Sequence, residues 1–245
     1  MAETTGIAWT DSTWNPWVGC RPVSAGCLHC YMERDQVRRG IDPHVVRRTS
    51  PRTFNAPLRW PAGNKVFVCS YSDFWIEEAD PWRADAWDVM RRRPDLIFQI
   101  PTKRPQRIME CLPADWGNGW PNVWLGVTIE DVHVAWRWES LLAVPAAIRW
   151  ISWEPAIGPF PILPAMNRID WIVSGGESGP GARRADPQWF TDIAVWTRKN
   201  RIPLFHKQNG GTLKIDGAWG GDELMFYGAP MRIREFPKVP RGGDR

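Results

Sequence analysis

Short apolar runs rich in β-branched and aromatic residues recur at Lys65–Ser70, Leu96–Pro101, Val123–Thr128, Ile148–Trp153, Asp170–Ser174 and Pro203–His206. Runs of this length, bounded by polar or glycine-containing segments, predict buried strands. Between them stand helix-compatible stretches at Tyr31–Arg39, Pro81–Arg92, Gln106–Cys111, Val132–Leu142 and Pro187–Asn200. The last opens on Asp186–Pro187, an N-cap followed by proline at the first helical position. Strands alternating with helices imply parallel pairing, hence an α/β fold built as a partial or near-closed parallel (β/α) barrel. A doubly wound open sheet is the competing architecture, but no GxGxxG follows the first strand to support it. Residues 210–245 are rich in Gly, Pro and charge, with weak periodicity. The barrel is therefore expected over 1–209, with an irregular extension over 210–245 lying across one barrel end.

In parallel barrels the functional groups sit at the C-terminal ends of the strands. Polar residues collect at those positions here: Ser70, Ser72 and Asp73; Thr102 and Lys103; Thr128 and Glu130; Glu154; Gly175, Gly176, Glu177 and Ser178; and Lys207 and Gln208. Six successive strand ends carrying polar groups predict one lined pocket.

With 245 residues, 43% of them hydrophobic, the chain is able to bury a large core. The N-terminus lacks a basic segment followed by an apolar run, and no stretch approaches the roughly 18 apolar residues of a membrane span. A soluble, cytoplasmic chain without membrane contact is expected. The net charge of +4 admits a phosphate-bearing partner without requiring one. Most of the eighteen tryptophans are expected in core packing, with base stacking open for a few near the site.

Five cysteines are present, and Cys20, Cys27 and Cys30 share one Gly-, Pro- and Ser-containing loop, GCRPVSAGCLHCY. An odd count and close spacing argue against a disulfide framework and for a metal site in a reducing compartment. Thiolates are natural ligands of iron–sulfur clusters and of zinc. Three of them on a four-iron cube leave one iron open to a small molecule, which favours catalysis. Zinc on the three cysteines plus His29 or His44 is the alternative. Cys69, inside an apolar run, and Cys111, at a predicted helix end, read as packing residues.

Several blocks together carry a family resemblance: WTDSTWNPWVGC with SAGCLHCY, YSDFW, FQIPTKRP, LGVTIED, ISWEPAIGP, WIVSGGESGPGARRADPQW and PLFHKQNGG. They resemble the phage Gp37/Gp68-like three-cysteine-motif family, itself similar to the radical S-adenosylmethionine (SAM) superfamily. The resemblance implies a radical-SAM-type barrel, a [4Fe–4S] cluster on Cys20, Cys27 and Cys30, and SAM as cofactor or cosubstrate. It further implies reductive cleavage of SAM to a 5′-deoxyadenosyl radical, with electrons from a flavodoxin- or ferredoxin-type donor. The C-x6-C-x2-C spacing departs from the superfamily's commonest C-x3-C-x2-C, and Gly175–Glu177 stands later than the usual Gly-Gly-Glu motif.

On this basis Ser72 and Asp73 are assigned to the methionine amino group, Lys103 to the methionine carboxylate or a substrate phosphate, and Glu130 or Glu154 to the ribose hydroxyls. Thr102, Thr128, Gly175 and Gly176 join the cofactor-binding set, and Lys103 and Glu177 are the candidate catalytic residues. For each carboxylate the alternative is a salt bridge to an arginine such as Arg149 or Arg183. The basic segments RRTSPRTF and TKRPQR point to a nucleic acid base or nucleotide as substrate, for modification or repair; a duplex would have to flip its base into the barrel. The competing function is a zinc- or cluster-containing nucleic-acid-binding module without SAM chemistry.

Overall fold

The computed structural model describes residues 4–216, 218–226 and 229–238. Seven strands form one sheet: β1 (Ser12–Trp14), β2 (Lys65–Val68), β3 (Ile97–Thr102), β4 (Val123–Thr128), β5 (Ile148–Ala156), β6 (Trp171–Gly176) and β7 (Leu204–Gln208). Each pairs in parallel with its neighbour in sequence, from β1 at one edge to β7 at the other. The sheet curls into a half-barrel. Among the described residues four helices of seven residues or more accompany it: α1 (Tyr31–Arg38), α2 (Asp80–Arg91), α3 (Trp136–Leu142) and α4 (Pro187–Asn200). No helix among the described residues is long and apolar enough to cross a membrane.

The pleat divides each strand between two cores. Val66, Val68, Phe98, Ile100, Leu125, Val127, Ile151, Trp153 and Ile172 join the large core that also takes Ala86 and Met90 of α2 and Phe190 and Ile193 of α4. The alternate positions Trp124, Trp150, Trp171, Val173 and Phe205 form a second cluster with Trp9 on the concave face. A fully buried indole removes enough surface from water for about 4–6 kcal/mol of transfer free energy. Trp150 lies directly over Gly126, where any Cβ would meet its ring. The glycine is thus a seat for the indole, and the concave face is floored with tryptophan below a more polar rim.

Six of the seven strands coincide with the apolar runs, and Asp186 caps α4 by accepting from the Gln188 N–H at 2.9 Å. The first strand is missing from the hydrophobic pattern because Ser12–Trp14 is only three residues long, with Ser and Thr in it. The stretch 106–111 is two 3-10 turns, 105–107 and 109–111, rather than a helix, and 132–142 breaks into a 3-10 turn and α3. Arg104 and Pro105 start the former: Arg104 sits outside the helical region and proline lacks a donor.

The expectation of an irregular extension is met by more order than expected. Its described residues carry two small antiparallel pairs, Lys214–Ile215 with Ala218–Trp219 and Leu224–Phe226 with Ala229–Met231. The chain then runs antiparallel along the free edge of β7, with the His206 N–H donating to Ile233 (2.8 Å) and the Glu235 N–H to Leu204 (2.9 Å). An edge strand needs partners for its backbone groups, and this segment supplies them. It also brings Phe236 to stack on Trp171, ring centroids 5.5 Å apart, while the Trp171 indole donates to the Glu235 carbonyl at 2.8 Å.

Candidate functional site

The cysteine loop follows β1 and lies against the C-terminal ends of β3, β4 and β6, the face at which the polar strand ends gather. Gly19 introduces it in a left-handed conformation (φ +99°) in which a Cβ would strike the Val45 carbonyl. The Gly19 N–H donates to Tyr71 O (3.0 Å), and the Ser72 hydroxyl donates to Gly19 O (2.6 Å). Ser72 therefore secures the entry of the loop. Tyr31, which begins α1 immediately after Cys30, donates its hydroxyl to Ser70 O at 2.6 Å.

Strand alternation sorts the predicted site residues into two sets. Thr102 faces the helix side, where its hydroxyl meets both oxygens of Asp73 at 2.8 and 2.9 Å. Asp73 also accepts from the N–H groups of Lys103 (3.0 Å) and Trp75 (3.0 Å), and Arg104 stands 3.4 Å away. This buried carboxylate is fully engaged in joining the ends of β2 and β3. Arg104 extends the network to the first cysteine, with Nη1 3.6 Å from Cys20 Sγ and Nη2 donating to Arg21 O at 2.8 Å.

Lys103, one residue earlier, stands on the opposite side, 3.6 Å from Glu130. The carboxylate of Glu130 is almost wholly buried beside the equally buried Arg137, which donates at 2.8 Å to Oε2. Its Oε1 accepts from the Ser24 hydroxyl at 2.7 Å, and Ser24 lies 4.0 Å from Cys27 Sγ. Thr128 and Ser152 are direct partners across β4 and β5 and share the concave side with Trp124 and Trp150. Above them Glu154 pairs with Lys207 at 2.8 Å across the bare backbone of Gly175, whose added Cβ would sit 2.9 Å from the carboxylate. Gly176 is required for a different contact: a side chain there would collide with Asn209 O.

Glu177 closes the far side of the loop. It accepts from the backbone N–H (2.8 Å) and Nε (2.9 Å) of Arg183, whose Nη2 also contacts it, and lies 2.8 Å from His29 Nδ1. Burial disfavours the charged carboxylate, but the hydrogen bonds from Arg183 and His29 outweigh it and hold its pKa down at about 2. The salt bridge to Arg183 is the one considered from sequence; Arg149 instead donates to Ala146 O at 3.3 Å and Val144 O at 2.6 Å.

All five cysteines are free thiols. Burial and the nearby Asp73 carboxylate push Cys20 up to about 11 against the pull of Arg104, and Cys27 is near enough to add to the rise. Burial raises Cys30, with Lys103 opposing. Consecutive cations at the end of β3 thus serve two of the thiols. His29 is engaged by Glu177, and His44 places Nδ1 3.0 Å from Cys20 O. Among the described residues no three His, Cys, Asp or Glu side chains converge on one point as they would around a single ion. Cys69 is buried in a left-handed conformation (φ 63°), and Cys111 lies 3.3 Å from Arg83.

Ser24, Gly26, Arg104 and Arg137 complete the site without having been assigned roles in it from sequence, and His29, considered there as a zinc ligand, is engaged by Glu177. The signal that could have found Gly26 is its place beside Cys27, where backbone must approach other groups closely. Arg104 and Arg137 are contacts set by the curl of the sheet, and nothing local marks them. Of the basic segment TKRPQR, Arg107 is paired with Glu77, Asp80 and Glu110. In RRTSPRTF, Arg48 pairs with Asp85 at 2.7 Å.

No curated protein and no solved structure matches the chain. The model of the family described as protein of unknown function (DUF5131) matches residues 4–230, and the chain belongs to that family.

Proposed function

We propose that the chain is a radical SAM enzyme of the kind its Gp37/Gp68-like motifs resemble, with Cys20, Cys27 and Cys30 holding a [4Fe–4S] cluster. The observation that carries this reading is a loop with three free thiols over the C-terminal ends of a curled parallel sheet, with its one histidine, His29, engaged by Glu177 and the more distant His44 by Cys20 O. The donor set fits: three soft thiolates suit an iron–sulfur group, and Lys103 and Arg104 offset their charge. When bound, that group would supply one electron to SAM, breaking the S–C5′ bond to leave methionine and a 5′-deoxyadenosyl radical.

The chain's own residues bind, orient and exclude water. Lys103 is the cation for the methionine carboxylate or a substrate phosphate, since Arg137 already neutralises Glu130 at 2.8 Å. Thr128 offers a hydroxyl, Glu154 an acceptor for ribose and Gly175 bare backbone at the same mouth, while Gly176 supports them by packing against Asn209. Ser72 and Asp73 act by fixing the loop and Lys103 rather than by meeting a ligand, because their polar atoms are already partnered. The tryptophan floor keeps water from below. The substrate class is a nucleic acid base or nucleotide, and the electron donor is a flavodoxin- or ferredoxin-type protein.

Anaerobic reconstitution with iron and sulfide, followed by iron, sulfide and zinc analysis and titration with SAM, tests the reading. A brown protein that binds SAM, and loses both properties on Cys27→Ala, is expected. A colourless protein holding one zinc through the same cysteines would overturn it in favour of a zinc module.

A further inference from the structure

The loop between the first and third cysteines is gripped on two sides by buried carboxylates. On one side Glu130 takes the Ser24 hydroxyl at 2.7 Å, and Gly26 packs so closely that an added Cβ would sit 2.5 Å from its Cγ and Oε1. On the other, Glu177 holds His29 at 2.8 Å and Arg183, and Arg183 reaches back to Ala25 O at 3.0 Å. Arg34 of α1 adds bonds to Pro180 O (3.2 Å) and Ser178 O (3.3 Å) on the same β6 loop. The ends of β4 and β6, with β5 between them, thus clasp opposite flanks of the spacer between Cys20 and Cys27 and of His29 beyond it.

We propose that Glu130 and Glu177 are positioning residues that order the long Cys20–Cys27 spacer before metal uptake, so that only the three thiols, which do not converge in the chain alone, have still to close on the cluster. A spacer of six residues has backbone freedom to lose when its cysteines are fixed. Contacts made in the metal-free protein remove that cost beforehand. Every contact of the clasp is made by the chain itself, and each carboxylate is neutralised by its own arginine, Arg137 or Arg183. Neither acid is then required to touch cofactor or substrate. The proposal rests on the three cysteines being cluster ligands.

The test compares wild type with Ser24→Ala and Glu177→Gln, purified anaerobically. In metal-free protein, thermolysin should cut within 21–29 at least about 10-fold faster in both variants. After reconstitution, release of iron to a chelator should be about 10-fold faster or more, the effect expected of partners that orient metal ligands. Circular dichroism and melting of Ser24→Ala should match wild type, which separates loss of the clasp from loss of the fold. Equal cleavage and equal iron release in wild type and variants, with iron bound normally, would overturn the proposal alone. A wild type that binds no iron under conditions that load a control iron–sulfur protein would overturn both the proposal and the cluster assignment beneath it.

Discussion

Oε1 of Glu130 accepts a 2.7 Å hydrogen bond from the Ser24 hydroxyl while Oε2 accepts one of 2.8 Å from Arg137. One buried carboxylate therefore links a helix behind the sheet to the cysteine loop in front of it. Removing Arg137 leaves that charge with the neutral Ser24 hydroxyl and, as the cation within salt-bridge distance, Lys103 at 3.6 Å. Arg137→Leu is expected to destabilise the fold by about 3–5 kcal/mol in urea unfolding. Glu130→Gln in the same chain should recover part of the loss, and a cost below about 1 kcal/mol would show that the pair is not the buried anchor described.

Two glycines separate contact from conformation. Gly26→Ala drives a methyl group into Glu130 and should cost about 1–3 kcal/mol, while loosening the loop. Gly40→Ala faces open space and bears only the cost of its left-handed φ of +70°, about 1–2 kcal/mol. Their expected costs overlap in size, so the discriminating measurement is thermolysin cleavage within 21–29, which should accelerate for Gly26→Ala and stay unchanged for Gly40→Ala.

His206 lies wholly buried on the helix side, with Nδ1 3.0 Å from the Ser174 hydroxyl and Nε2 3.1 Å from Asn209 Oδ1. Burial lowers its pKa from 6.5 to about 4. The folded state therefore resists a proton that the unfolded chain accepts. Its neutral form gives stability that is fully present above pH 6.5 and is lost as pH falls toward 4, amounting to about 3 kcal/mol. Unfolding free energies of wild type and His206→Gln from pH 7.5 to 4 check this: the wild-type curve should fall more steeply in that window, and parallel curves would contradict it.

Phe236 stacks on Trp171 and meets Phe205 at 5.4 Å, sealing the tryptophan-floored end of the concave face. It is 38% exposed, so Phe236→Ala should cost only about 1–2 kcal/mol. Quenching of tryptophan fluorescence by acrylamide should rise in the variant as Trp171 becomes accessible; unchanged quenching would show that the seal lies elsewhere.

Strand positions were legible because Val123–Thr128 and its counterparts are short apolar runs between turns, and Pro187–Asn200 because it carries its own cap. The short first strand escaped because its hydrophobic pattern is too brief to register. At the site, the gathering of polar residues at strand ends was visible, but their orientation depended on the pleat. Thr102 and Lys103 are neighbours in sequence, yet the first bonds Asp73 and the second pairs with Glu130. Glu130 and Glu177 read as ligand acceptors, with Arg183 visible as a possible partner six residues from Glu177, but their contacts to the cysteine loop come from far away in the chain. Arg137 is seven residues beyond Glu130, and Ser24 lies 106 residues before it. Only the curled sheet brings them together.

The most direct measurement is chromatography for 5′-deoxyadenosine after dithionite reduction of the anaerobically reconstituted protein with SAM. Its formation by wild type and its loss in Cys27→Ala are predicted. A fully reconstituted four-iron protein that binds SAM and forms none, with or without added nucleic acid, would contradict the assignment.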